Sequence, residues 1–333
     1  MLVLFGDGDG GRLEGCSQLT ISDERGADCM FPAAIDCNKN CVPLRKICRE
    51  MKHCVLITAY KDPKQINRLI GRIPQDWGIF IHIDKKSAIC DGEIDSRAIK
   101  INRRNIYWGS FAHVEAFLDM MRIALTDERQ FDYFHLITAQ DYPAIDLRKV
   151  DDLITPGKIY MRHEPIPRSC WPSWDGGFQF YRYNTFARWT DVRFPFYNRA
   201  LNRLCKIFQF WKTKRYYLPP YPIEGGSSYM SISRKAAEVL TSSDISKDLQ
   251  RRLRHSLDGE ETFYQTAIMN SELKDDVIND DMRLIIWPGP AVLDESHIDI
   301  IRSCKKIFIR KMESGTSDKL MDMLDKMAGQ SAS

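Results

Sequence analysis

From Met51 onward the sequence predicts an α/β fold, a sheet with helices packed on its faces. Three observations predict it. Short apolar runs of strand character alternate with segments of helical period, helical segments open on start signals, and the strands end in polar residues at the edge where such folds bind ligands.

The first run, Cys54 to Ala59, reads as a strand. Asp62-Pro63 then starts a helix whose Ile66, Leu69, Ile70 and Ile73 share one face. Ile79 to Ile83 and Ala98 to Ile101 follow as strands, and Ser110 is expected to cap a helix with Phe111, Val114, Leu118, Met121 and Leu125 as its buried stripe. Phe134 to Thr138 is the next strand. Further on, Tyr229 to Ile232 leads into a helix over Lys235 to Leu240, and Asp258 is expected to cap a helix that carries Glu260 and Glu261 in its first turn.

Between these lies a different kind of segment. Arg162 to Trp189 contains Trp171, Trp174, Phe178, Phe180, Tyr181, Tyr183 and Phe186 among prolines and glycines, which reads as a long functional loop. Tyr197 to Lys212 follows as a basic amphipathic helix with Leu201, Leu204, Ile207, Phe208 and Trp211 on its apolar face, for which core packing is preferred over membrane contact.

Residues 1–50 look foreign to this pattern. Glycines crowd Gly6 to Gly15, and Cys16, Cys29, Cys37, Cys41 and Cys48 supply half of the ten cysteines without a C-x-x-C, so reduced thiols are expected rather than zinc. Gly6 to Gly11 matches a dinucleotide fingerprint formally, but no helical period follows it. We therefore expect an atypical extension over 1–50 with Met51 as the initiator, a main domain over 51–313, and a C-terminal helix or tail over 314–333. A chain starting at Met51 is expected to fold by itself.

The 333 residues, 44% hydrophobic and 28% charged, fit a globular protein with one main domain. A net charge of +3 gives no argument for nucleic acid, and no apolar run reaches the roughly 18 residues of a membrane span. Membrane contact would be peripheral. With no secretory signal pattern, the expected location is cytoplasmic.

Four polar clusters carry the chemistry. Asp84, in His82-Ile83-Asp84-Lys85-Lys86-Ser87, stands at the end of a strand and could bond a nucleoside as readily as serve as a turn residue. Tyr107-Trp108-Gly109-Ser110 opens a helix, where free backbone N–H groups favour an anion and an aromatic ring can cover a base. Ala139-Gln140-Asp141-Tyr142-Pro143 delivers polar groups to the same edge. Gly226-Ser227-Ser228-Tyr229 with Ser233-Arg234 precedes the Glu260-Glu261 helix, where the macrodipole favours acids whatever the protein does, yet Glu261 is a candidate general base.

In this order, and with the Arg and Lys residues near the C-terminus, these motifs resemble the core-2/I-branching enzymes, glycosyltransferase family 14, over about residues 51–312. That family includes branching β-1,6-N-acetylglucosaminyltransferases and protein O-xylosyltransferases. The resemblance implies a GT-A-type nucleotide-sugar-binding fold, a mixed sheet flanked by helices, and inverting transfer from a UDP-sugar to a hydroxyl of a glycan or other acceptor. GlcNAc is the first choice of sugar and xylose the second. It further implies that Asp84 and Tyr107 contact uridine, with Gly109 and Ser110 on the donor side. Glu261 would be the base, and Arg283 and Lys311 would hold the diphosphate. Glu164 resembles an acceptor-positioning glutamate, and Trp171 and Trp174 are expected beside it.

Gly259-Glu260 departs from the family, where Pro-Asp usually precedes the base, and Glu260 is expected to matter little. The domain contains no D-x-D, so two fixed cations are expected in place of a metal, and no cofactor is expected. Two other functions remain open. One is a glycoside hydrolase, for which adjacent Glu260 and Glu261 are a poor acid/base pair; the other is a non-catalytic carbohydrate-binding protein of the same fold.

Overall fold

A computed structural model describes residues 50–169, 171–181, 217–287 and 289–330. The chain divides into two units, Met1–Arg49 and Glu50–Ser333, and all described residues belong to the second. The expectations for residues 1–49, for Tyr183, Phe186 and Trp189, and for the helix over Tyr197 to Lys212 lie outside the described residues.

Among those residues the main sheet has seven strands. They are β1 (His53–Ala59), β2 (Gly78–Ile83), β3 (Ile99–Lys100), β4 (Tyr133–Thr138), β6 (Ile159–Tyr160), β9 (Met230–Ser233) and β10 (Val277–Ile278), in the order β10-β6-β9-β4-β1-β2-β3. β1 to β4 run parallel and β9 runs against β4, so the sheet is mixed. A three-stranded sheet of β11 (Arg283–Ile285), β12 (Phe308–Arg310) and β5 (Asp141–Pro143) stands beside it, and β7 (Glu164–Pro165) pairs with β8 (Glu224–Gly225).

Every residue of β1 is buried. Successive side chains leave a strand on opposite faces. Val55, Ile57 and Ala59 therefore join one core cluster, with α1 (Pro63–Arg72), and Cys54 and Leu56 join another, with α2 (Ala112–Thr126). In α1 the expected start is observed: the Asp62 carboxylate accepts from Gln65 N at 3.0 Å, and Ile66, Leu69 and Ile70 are buried. In α2 the expected stripe is buried at Phe111, Val114, Leu118 and Met121 and half-buried at Leu125, but the expected cap is not made. Ser110 turns back to accept from Tyr107 N at 3.2 Å, which closes the preceding turn instead.

The remaining helices are α3 (Arg234–Ser242), α4 (Asp244–Leu253), α5 (Glu260–Met269), α6 (Ile298–Ser303) and α7 (Asp318–Gln330). Asp258 does not cap α5 with its side chain, since the N-cap residue is Gly259 with no side-chain bond. The C-terminal segment is more than a tail. Leu320, Met321 and Leu324 of α7 are buried in the core cluster of α1, and Asp325 binds Arg68, Arg72 and the Tyr142 hydroxyl. Within the aromatic segment, Pro172–Tyr181 forms a 3-10 helix.

A column of polar side chains crosses the sheet on the α1 side of β4. Arg283 Nη1 meets Ser231 Oγ at 2.7 Å, Ser231 meets His135 Nδ1 at 2.8 Å, His135 Nε2 meets His53 Nδ1 at 3.1 Å, and His53 Nε2 meets Asp151 at 2.9 Å. Burial pushes His135 well below the ordinary imidazole range, so it is neutral. Arg283 donates to Ser231 Oγ, and the neutral His135 ring links Ser231 to His53, whose Nε2 meets the Asp151 carboxylate.

Candidate functional site

The parallel strands β1, β2 and β4 end together, and the polar residues gather beyond their carboxyl ends. Thr58 and Thr138 stand opposite each other in the last registers of β1 and β4. A shallow pocket opens there, lined among others by Thr58, Tyr60, Lys61, Thr138 and Gln140.

On the β2 side, Asp84 is almost buried, and its Oδ2 lies 2.8 Å from Lys86 Nζ, which also sits 4.4 Å over the Tyr107 ring. Asp84 Oδ1 accepts from Lys86 N at 2.9 Å. Asp84 and Tyr107 are thus brought together by one lysine. The Gly109 turn is fixed by contact as well as conformation: φ is +78°, and a Cβ there would approach Asp258 Oδ1 to 2.7 Å. Asp258 N in turn donates to Gly109 O at 2.7 Å, and Ser110 bridges Leu257, which joins this turn to the start of α5.

The two glutamates of α5 diverge. Glu260, half-buried, bonds His113 Nδ1 on α2. Glu261 is partly exposed, and its carboxylate has no hydrogen-bond partner among the described residues. Its pKa is pushed up to about 8, first by loss of solvation and then by the negative charges of Glu260 and Asp258, with Arg168 opposing. Asp258 is pushed up to about 7 by burial and by Glu260. Three acids at the start of one helix crowd each other's charge.

Glu261 also adjoins the predicted acceptor residues. Its carbonyl accepts from Gly226 N at 2.8 Å, where a side chain is excluded because a Cβ would lie 2.0 Å from Arg162 O. Gly225 pairs with Glu164, whose exposed carboxylate meets Arg168 at 3.0 Å, and Arg168 lies 4.1 Å over the Trp171 ring. Glu164, Trp171 and Glu261 therefore form one neighbourhood. The Trp174 side chain lies outside the described residues.

One predicted site residue is not there. Arg283 is 3% exposed, with Nη1 bonded to Ser231 and Asp281 O and Nη2 to Leu136 O at 3.2 Å and Met230 O at 2.8 Å. Burial pulls its pKa down to about 10. Its Nη1 and Nη2 donors are taken up in joining β4, β9 and β11, and its Nε is buried among the described residues with no partner, so the expectation that Arg283 grips a diphosphate is corrected. The cation at the strand ends is Arg310, which bonds Thr138 Oγ1, lies 3.3 Å from Asp141 and sits 4.6 Å over the Tyr229 ring. Burial raises the Tyr229 phenol pKa, Arg310 lowers it, and Asp141, Glu260 and Glu261 raise it, which puts all four charges around that ring. Lys311, next in sequence, turns to the pocket rim, where Glu313 holds it at 2.7 Å and also takes Lys61 and Gln140.

Sequence reasoning missed Arg310, His113, Thr58 and Tyr229 as members of this cluster. Arg310 carried a signal, as the neighbour of Lys311 in a strand-ending Arg-Lys pair. Among the described residues no group of three or more His, Cys, Asp or Glu side chains is placed to hold a metal ion, and no helix is long and apolar enough to cross a membrane.

No family model matches the chain. Over 246 residues it is 25% identical to Xylosyltransferase sqv-6 of Caenorhabditis elegans, a match that takes in 68% of this chain and 27% of that protein. To Xylosyltransferase sqv-6 of Caenorhabditis briggsae it is 24% identical over 243 residues, with the same shares. The chain thus matches about a quarter of the length of these curated relatives. Among solved structures, mouse xyloside xylosyltransferase 1 in its apo form aligns over 80% of this chain and 98% of that chain, at 10% identity and a TM-score of 0.35, a likeness too low to carry an argument.

Proposed function

We propose that this chain is a glycosyltransferase that moves a sugar from a UDP-sugar to an acceptor hydroxyl, with Glu261 as general base. The observation that carries the proposal is a carboxylate with no hydrogen-bond partner among the described residues, raised to a pKa of about 8, adjoining both the strand-end cluster and the Glu164–Trp171 side. A base is most effective when its pKa lies near the working pH, and such assistance is typically worth about 10²- to 10⁴-fold. The similarity to two xylosyltransferases over 68% of the chain supports the transferase class and favours xylose over GlcNAc as the sugar.

In this reaction Glu261 takes the proton of the acceptor hydroxyl as its oxygen bonds to the anomeric carbon. The bond from that carbon to the UDP oxygen breaks on the opposite face, so the configuration inverts. Charge then grows on the departing diphosphate, and Arg310 and Lys311 are the cations suited to stabilise it. Asp84, Tyr107, Gly109 and Ser110 would surround the nucleoside, and Glu164 and Trp171 would meet the acceptor.

The test is UDP release from UDP-xylose and UDP-GlcNAc, with and without seryl peptides and simple glycosides as acceptors, in EDTA and in Mn²⁺. The expected result is acceptor-dependent release from UDP-xylose that EDTA leaves unchanged. Activity that vanishes in EDTA and returns with Mn²⁺ would replace the two-cation mechanism by a metal-assisted one. Cleavage of a glycoside with no sugar nucleotide present would favour a hydrolase, and UDP binding without turnover a binding protein.

A further inference from the structure

Glu260 has no part in the reaction as drawn above, yet it starts a hydrogen-bonded line that ends in the pocket. Its carboxylate bonds His113 Nδ1, and the other ring nitrogen, Nε2, lies 3.1 Å from Thr58 Oγ1. The edge of the neighbouring Phe117 ring, 5.0 Å away between centroids, helps fix the imidazole plane. Thr58 is on the α2 face of β1, like Cys54 and Leu56, and is the last residue of that face before the strand ends at the pocket.

We propose that Glu260 and His113 are positioning residues that fix the Thr58 hydroxyl as a hydrogen-bond acceptor, and that Thr58 thereby selects a ligand presenting an N–H or O–H donor. The proposal assigns one ring proton, on Nδ1, where the Glu260 carboxylate accepts it. Nε2 then carries a lone pair, and the Thr58 hydroxyl donates to it. The Thr58 oxygen then offers only lone pairs to the pocket.

Thr138, its partner across the strands, differs. Its oxygen already accepts from Gln140 N at 3.1 Å and from Arg310, so its hydrogen remains available to a ligand. A buried acceptor left unpaired is costly, so a ligand group that only accepts is disfavoured at Thr58. The ligand class rests on the sugar-nucleotide proposal: within UDP the donors are the uracil N3–H and the ribose hydroxyls.

The experiment has two independent arms. Nitrogen-15 shifts of the His113 ring in the ligand-free full chain report its protonation, expected to be Nδ1–H alone; a proton on Nε2, as the Nε2–H tautomer or as a doubly protonated ring, would overturn the relay. Calorimetric titration with UDP, N3-methyl-UDP, 2′-deoxy-UDP and 3′-deoxy-UDP reads the ligand side. Thr58→Val, which preserves shape, is expected to weaken UDP by roughly two- to tenfold, and Thr58→Ser to restore it. Wild type should lose a similar factor for one analogue, and that analogue should bind Thr58→Val as UDP does, which identifies the donor as base or ribose.

Glu260→Gln should weaken UDP only where Thr58 is present, so the two changes are expected to be non-additive. UDP binding unchanged by Thr58→Val, or strict additivity, would overturn the proposal while leaving the transferase assignment intact. Wild type that shows Nδ1–H but binds no UDP would sink the sugar-nucleotide assignment and the ligand role of Thr58 together, with the relay itself still reported by the tautomer.

Discussion

Glu261→Gln is expected to lower transfer by about 10²- to 10⁴-fold and at the same time to stabilise the protein at alkaline pH. Both effects come from one shift. An ordinary glutamate carboxyl, with its pKa near 4.5, ionises well before the folded one, which waits until about 8. Between those values the folded chain holds a proton that the unfolded chain has released, so this group's contribution to stability falls as pH rises. Above 8 the carboxylate is ionised in both states and the full cost of its surroundings remains. Glutamine keeps the shape without the charge. The stability difference, variant minus wild type, should therefore be near zero at pH 4 and reach roughly 2 to 4 kcal/mol by pH 9, with solvent screening of a partly exposed group allowed for.

Activity should run the opposite way in wild type. The base must be ionised to accept a proton, so kcat is expected to rise with pH through about 8. Denaturation curves across pH and a pH profile of turnover check the two halves separately. A variant that is active, with a stability difference that is flat in pH, would remove Glu261 from the mechanism.

The sequence made the sheet legible because its signals are local. β1, β2 and β4 are mostly apolar runs, each carrying one histidine, and Asp62-Pro63 needs only its own turn to start α1. Ser110 and Asp258 read as side-chain caps but do not cap: Ser110 closes the turn before it on Tyr107 N, a competing local bond, and Asp258 packs under Gly109 from 149 residues further along the chain, a partner that local pattern does not supply. The Glu260–Glu261 pair was visible as two acids in a first turn, but which one faces the open site depends on His113, contributed by another helix. Local pattern gives Glu260 little weight, although the fold gives it a partner and a connection to the pocket. Residue identity is local; residue direction is tertiary.

Arg283 and Lys311 carry the sharpest test of that distinction, since both read as phosphate-binding cations and the structure gives them different situations. Arg283→Met should leave Ser231 Oγ and the carbonyls of Asp281, Leu136 and Met230 without their shared donor and break the polar column at its cationic end. Removing one member of such a buried charged network costs about 3 to 5 kcal/mol, which corresponds to a fall in melting temperature on the order of 10 °C for a domain of this size. Arg283→Lys should recover little, because a single ammonium cannot span acceptors that the planar guanidinium meets on two nitrogens. Lys311→Met should behave in the opposite way. Its ammonium is at the pocket rim, held by Glu313 and still 27% exposed, so the melting temperature should move by no more than about 2 °C. Transfer should nevertheless fall by about 10²-fold, as the leaving diphosphate loses a stabilising charge. Melting curves and kcat/KM for the three variants decide the matter. A fully stable but inactive Arg283→Met would return Arg283 to the donor site, and an active Lys311→Met would leave Arg310 as the cation to account for the leaving group.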